Sequence, residues 1–257
     1  MDITYIASGF AVGLLVGMTG VGGGSLMTPL LTLLFGVAPS VAVGTDLAFA
    51  SITKGVGTIT HRVRGTVHWE IVRRLCAGAL PAALAATWFL QHYGSLGSEV
   101  ALFIRYSIAV SVLLTVVAIL FRRRMIAWIN AHPGRQLQGR ALALATVLCG
   151  ALLGTLVTIS SIGAGAIGAT LLVMLYPRLT PAEVAGTDIA YAVPLTAIAA
   201  AGHWYLGSIN WALLMTLLIG SVPGITIGSW AARAVPERFL RGLLAATLTG
   251  VAVKIIY

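Results

Sequence analysis

Val43-Gly44-Thr45-Asp46 recurs as Ala185-Gly186-Thr187-Asp188, and the flanking sequence recurs with it at the same spacing of 142 residues. Pro39 falls on Pro181, His61 on His203, Gly65 on Gly207, Trp69 on Trp211, Gly78 on Gly220, Pro81 on Pro223 and Trp88 on Trp230. Upstream of Phe35 and Tyr176 the spacing is 141, which places Gly9, Gly13, Gly22 and Gly24 on Gly150, Gly154, Gly163 and Gly165. One residue has been inserted, beside Pro177. An internal repeat of this length in an apolar chain points to transport rather than chemistry.

Apolar residues make up 58% of the 257 and charged ones 9%, with a mean hydropathy of +0.97. A soluble chain carries about a quarter charged residues. Most segments between charged clusters are apolar runs long enough to cross, or nearly cross, a hydrocarbon layer of about 30 Å. The fold class is therefore an all-α polytopic membrane protein. A membrane barrel would need short segments alternating at period two, and the sequence has none. The net charge of +9 does not indicate nucleic acid, because the basic residues form short clusters between hydrophobic runs. Cys76 and Cys149 lie inside apolar segments without CxxC spacing and read as small packing residues. Met1-Asp2-Ile3-Thr4 has no basic n-region, so a first span is expected there rather than a cleaved signal.

Each copy contains five apolar elements. They run roughly over 3–18, 25–36, 40–61, 69–90 and 100–121, then over 141–159, 166–176, 181–203, 210–232 and 237–256. The second of each set is short, about half a bilayer at 1.5 Å per residue, so the first two form a hairpin bent at a glycine-rich tip. Residues 1–121 are the first repeat, 122–140 a cytoplasmic connector and 141–257 the second repeat. Arginine orients them. Arg62, Arg64, Arg73 and Arg74 surround the third-to-fourth loop of copy one, whereas the equivalent loop, 202–210, has no basic side chain but His203. Arg122, Arg123, Arg124, Arg135 and Arg140 crowd the connector, and Arg233, Arg238 and Arg241 follow the fourth element of copy two. By the positive-inside rule the two repeats are inserted upside down relative to each other, with both termini outside. Met125, Ile126, Trp128 and Ile129 of the connector can lie on the inner membrane surface.

Thr19-Gly20-Val21-Gly22-Gly23-Gly24-Ser25 immediately precedes a helix. Backbone N–H groups freed of side chains, at a helix N-terminus, suit an anion. The matching tip, Ser160-Ser161-Ile162-Gly163-Ala164-Gly165-Ala166, replaces some glycines by hydroxyl donors. Two such tips meeting across a pseudo-twofold axis form a midplane site; alternatively the glycines serve close helix packing, as Gly9, Gly13 and Gly17 do. Asp46 and Asp188 lie about six residues into their elements, where an acid is costly; proton coupling, cation coordination, an ion pair and a structural hydrogen bond all remain open. Thr45 and Thr187 can add hydroxyls. Lys54 is the basic residue in the middle of a span, and its counterpart is Thr196. Its ammonium needs a carboxylate or an anionic substrate. Arg105 reads as an interfacial anchor and His61 and His203 as helix-end residues. There is no HExxH, nucleophile elbow or phosphate-binding loop with its lysine, so neither catalysis nor a metal or other cofactor is expected.

The stretches TGVGGGSLMTPLL, VAVGTDLAFASITK and HRVRGTVHW, with AGTDIAYAVPLT and GHWYLGSINW in the second copy, resemble the TauE/SafE family of membrane permeases. The resemblance spans the chain except its connector. It implies export of sulfite or a small organosulfur anion such as sulfoacetate. The resulting expectation is a non-enzymatic exporter of a sulfur oxyanion in the cell (inner) membrane. The substrate would lie among Thr19, Gly20, Gly22, Gly23, Gly24, Ser25, Thr45, Lys54, Ser160, Ser161, Gly163, Gly165 and Thr187. The rival is a proton-coupled or metal cation exchanger using Asp46 and Asp188. The lipid bilayer and the small anion are the partners, and a homodimer is one assembly compatible with the sequence.

Overall fold

The computed structural model describes residues 3–19, 24–33, 35–93, 98–131 and 136–231, which form α-helices and no strand. In chain order these are α1 (Ile3–Thr19), α2 (Gly24–Leu33), α3 (Pro39–Val63), α4 (Trp69–Tyr93), α5 (Ser98–Ala131), α6 (Gly139–Ser160), α7 (Ala166–Leu175), α8 (Pro181–Tyr205) and α9 (Trp211–Ala231). The glycines of the first tip at 20–23, the side chains of Thr19 and Ser25, and the expected last element at 237–256 lie outside the described residues. α2 and α7 have ten residues each, about 15 Å of helix and half a hydrocarbon core. By contrast Leu102–Phe121, Gly139–Ser160 and Pro181–Tyr205 are long and apolar enough to cross a membrane.

One boundary differs from the sequence expectation. The fifth element does not end at Phe121; α5 continues through Arg122–Arg124 to Ala131. Arginine is a good helix former, and the first glycine or proline after Phe121 is Pro133. The charge cluster therefore marks a change of solvent, not a break in the helix.

The packing exchanges elements between the copies. α1 lies along α9, α4 lies along α6, and α3 crosses α8. Glycine sets the first two approaches. A Cβ at Gly9 or Gly13 would collide with the carbonyls of Leu217 and Ser221 on α9. Their counterparts Gly150 and Gly154 would collide with the carbonyls of Leu75 and Ala79 on α4. Gly220 meets Ile6, and Gly78 meets the equivalent Val147. Each contact thus recurs with the copies exchanged, as in an isologous pair. In lipid, backbone contact of this kind supplies the packing that a hydrophobic effect cannot.

The ends of α3 and α8 match as well. Gly65 and Gly207 adopt φ of +66° and +67°. Around the first, Thr66 N–H reaches His61 O at 3.1 Å and Gly65 N–H reaches Arg62 O at 3.1 Å. Around the second, Ser208 and Gly207 bond His203 and Trp204 at 2.8 Å each. These are paired Schellman closures, which need a left-handed residue at C′ and so favour glycine.

A methyl at Gly55 has open space, whereas one at Gly78 strikes the Val147 carbonyl. Gly78→Val should therefore lower the melting temperature in detergent by about 5–10 °C, and Gly55→Ala should leave it unchanged or raise it slightly. Equal effects would show that the α4–α6 approach is not constrained.

Candidate functional site

α6 stops where Ser161 turns left-handed, at φ 59°, with its N–H on Val157 O at 2.7 Å. Gly163 and Gly165 follow at φ 131° and 133°, conformations that exclude most side chains. α7 begins at Ala166. Every residue from Ser160 to Ala166 is buried. Gly168 N–H bonds Gly163 O at 3.0 Å and Ala169 N–H bonds Gly165 O at 2.8 Å. Among the described residues no acceptor takes the N–H of Gly163, Ala164, Gly165, Ala166 or Ile167. The second tip is thus a buried run of donors unaccepted among the described residues and ending in the N-terminus of a half-helix, an arrangement that favours negative charge.

Lys54 reaches this tip from α3. Its side chain is buried, and Nζ donates to Ala164 O at 3.0 Å. Asp188 and Asp46 both act on the ammonium electrostatically. A midspan cation is therefore held by one freed carbonyl of a broken helix, in the field of carboxylates from both copies, which offsets part of a desolvation cost of several kcal/mol.

The two acids are placed differently. Asp46 Oδ2 accepts Thr28 N–H at 3.1 Å and Thr28 Oγ1–H at 2.6 Å, both from α2. A resident carboxylate therefore already hydrogen-bonds the first half-helix at its fifth residue. Asp46 Oδ1 and the neighbouring Ser161 Oγ lie side by side without closing a hydrogen bond. Asp188 lies against the first turn of α7, where a Cβ at Gly168 would collide with its Oδ1. Thr28 corresponds to Ala169, so the second half-helix offers Asp188 no equivalent hydroxyl.

Other candidates are engaged elsewhere. Thr45 Oγ1 accepts Asn210 N–H, and Thr187 Oγ1 accepts His68 N–H, each at 3.1 Å. In both motifs the glycine beside the threonine admits the other copy's loop: Gly44 meets Ser208 and His203, and Gly186 meets Thr66 and His61. Gly-Thr thus stitches the copies together, while the adjacent aspartate faces the tips. His68 Nε2 adds an ion pair to Glu183 at 2.9 Å on one side only. Ser160 Oγ lies 2.7 Å from Leu156 O and 3.0 Å from Ser111 Oγ, closing the end of α6. His203 Nε2 contacts Thr158 O at 2.9 Å, and His61 Nδ1 contacts Thr66 Oγ1 at 2.8 Å. Arg105 lines a cavity of about 330 Å³ with Thr32, Pro39 and Ile108, between the end of α2 and α5.

Sequence reasoning missed Thr28 and Tyr191. Both are buried and both stand beside an aspartate. The repeat carried a signal for each, since Thr28 aligns with Ala169 and Tyr191 with Phe49.

The family model described as Sulfite exporter TauE/SafE matches residues 5–255. A probable membrane transporter protein of Bacillus subtilis, YjnA, is 36% identical over 261 residues, covering all of both chains. A second from that organism, YdhB, is 26% identical and covers 91% of this chain and 92% of its own. A probable membrane transporter protein of Xylella fastidiosa is 25% identical over 99% of this chain and 95% of its own. No solved structure matches. The chain belongs to the sulfite exporter TauE/SafE family of membrane transporters.

Thr28→Val removes a hydrogen bond to a buried carboxylate. It should cost about 2–3 kcal/mol and lower the detergent melting temperature by about 4–10 °C, and Thr28→Ser should restore it. A Thr28→Val protein melting with the wild type would show that the Asp46 contact is not stabilising.

Proposed function

We propose that this member of the TauE/SafE family exports a small sulfur oxyanion, sulfite or a related sulfonate, from the cytoplasm by alternating access between two inverted halves. The observation that carries it is the second tip: five consecutive buried N–H groups without an acceptor among the described residues, beside the Lys54 ammonium. Such donors, fixed in place and shielded from water, favour negative charge and do not reorganise to accept it. The first half-helix supports the same chemistry, because it already holds the Asp46 carboxylate through Thr28.

The halves are residues 1–121 and 141–257. With Arg62, Arg64 and Arg122–Arg124 on the cytoplasmic side, α3 runs inward and α8 outward, and both termini are external. The reciprocal packing of α1 on α9 and α4 on α6 then supplies two equivalent hinges, and the α3–α8 crossing carries the site at mid-membrane. With the cell interior negative, expelling one negative charge releases about 2.3 kcal/mol per 100 mV, so export needs no coupled ion. No nucleophile or cofactor enters this scheme, and the protein acts as a carrier, not an enzyme.

The cation-exchanger alternative places the substrate on Asp46 and Asp188. Lys54 opposes it, because the ammonium already stands within the field of both carboxylates and repels a second cation. Proton coupling through either acid stays compatible with anion export. Under it, the double substitution Asp46→Asn with Asp188→Asn should abolish any dependence of flux on a pH gradient, and an unaltered dependence would remove both acids from coupling.

In sulfite-loaded proteoliposomes, Lys54→Ala should slow efflux by about tenfold or more, the equivalent of one hydrogen bond to a charged group, while Arg105→Ala should stay within about twofold of wild type. Comparable rates for wild type and Lys54→Ala would take Lys54 out of the site. Stabilisation by divalent metals and not by sulfite would favour the exchanger.

A further inference from the structure

We propose that the Tyr191 hydroxyl is a substrate-contacting donor that completes the second tip and selects oxyanions over single-atom anions. This rests on the anion reading of the tip given above. Tyr191 is fully buried, and its hydroxyl has no hydrogen-bond partner among the described residues. A buried donor left unmade is disfavoured, and a phenylalanine of the same shape avoids the penalty. The fold itself makes that substitution: the equivalent residue of the first copy is Phe49, 1% exposed. Packing therefore asks for a ring at this position and not for a hydroxyl.

The surroundings place that hydroxyl at the tip. It lies against the first turn of α7, where a Cβ at Gly168 would come within 2.9 Å of it. The equivalent of Gly168 is Met27, fully buried in the first copy. The second copy has thus cleared a side chain from its half-helix at the point where the Asp188 carboxylate and the phenol both arrive. In the same turn the N–H groups of Ala166 and Ile167 have no acceptor among the described residues. Ser161 contributes a second hydroxyl, only 4% exposed, which stands beside Asp46 Oδ1 without closing a hydrogen bond to any described residue, on a residue that holds φ 59°. A glycine would relieve that backbone, so the hydroxyl is the feature that serine adds.

The exchange between copies is consistent with this assignment. In the first half, Thr28 on the short helix gives its hydroxyl to Asp46. In the second half the short helix carries Ala169, and the hydroxyl sits on the long helix, one turn after Asp188. The first hydroxyl is occupied by a resident carboxylate, while the second stands against the first turn of α7 beside Asp188 Oδ1 without closing a hydrogen bond to it. A ligand with at least two oxygens on one centre, such as a pyramidal or tetrahedral oxyanion, meets the backbone donors with one oxygen and Tyr191 with another. A halide has one atom to offer and reaches the backbone donors alone.

The test is ligand-dependent thermal stabilisation of the purified protein in detergent. Wild type and Tyr191→Phe are titrated with sulfite, sulfate, thiosulfate, sulfoacetate, phosphate and chloride, with Ser161→Ala as a second variant of the same donor set. Tyr191→Phe should melt at or above the wild-type temperature without ligand. It should bind the stabilising oxyanion about tenfold or more weakly, the effect of one hydrogen bond to a charged group, and leave any chloride response unchanged. Ser161→Ala should also weaken the oxyanion. A Tyr191→Phe protein that melts lower or fails to fold, or that binds the oxyanion with wild-type affinity, overturns the assignment. If phosphate stabilises wild type in place of every sulfur oxyanion and Tyr191→Phe weakens it, the sulfur substrate is wrong and the role of Tyr191 stands. If divalent metals stabilise the protein and no anion does, both are overturned.

Discussion

The Lys54 ammonium is the constraint around which the interior is organised. An unsolvated cation at the middle of a membrane protein is unstable without fixed negative partners, and a regular helix has no carbonyl free to give. The chain meets this by breaking α6 at Ser161, so that Ala164 presents its carbonyl to Nζ at 3.0 Å. The same break turns the following N–H groups away from any helical acceptor. One irregular loop thus neutralises a cation with its carbonyl and offers donors to an anion. Asp46 and Asp188, one from each copy, lie within the electrostatic reach of that point.

Symmetry and its violations divide the work. The scaffold is symmetric: glycines against carbonyls, Schellman closures, and Gly-Thr stitches all recur with the copies exchanged. The site is not. Lys54 has Thr196 as its counterpart, Thr28 has Ala169, Met27 has Gly168 and Phe49 has Tyr191. On the proposed reading, the symmetric scaffold supplies the two hinges, whereas the asymmetric centre supplies a single binding site for negative charge.

Much of this was legible in the sequence. The 141- and 142-residue offsets foretold which glycines would play equivalent parts, and the short second elements appear as α2 and α7. The α6 break and the Lys54 asymmetry were also readable, because Ser-Ser and Gly-x-Gly beside a lone midspan lysine are local signals. The fate of Thr45 and Thr187 was not. Their hydroxyls meet backbone N–H groups of the other copy, a pairing set by the α3–α8 crossing and invisible along the chain. Thr28 and Tyr191 escaped for the related reason that each looks like an ordinary apolar-face residue until a half-helix is laid against an aspartate. The length of α5 escaped because three arginines mark the membrane boundary as strongly as a loop would.

Whether the second tip holds an oxyanion is read out by anomalous diffraction from crystals grown with selenite, the selenium analogue of sulfite. A selenium peak within hydrogen-bonding distance of the Gly163–Ile167 N–H groups and the Lys54 ammonium is the result the account predicts. A peak confined to the cavity lined by Arg105, or none in a crystal whose protein selenite stabilises in solution, would contradict it.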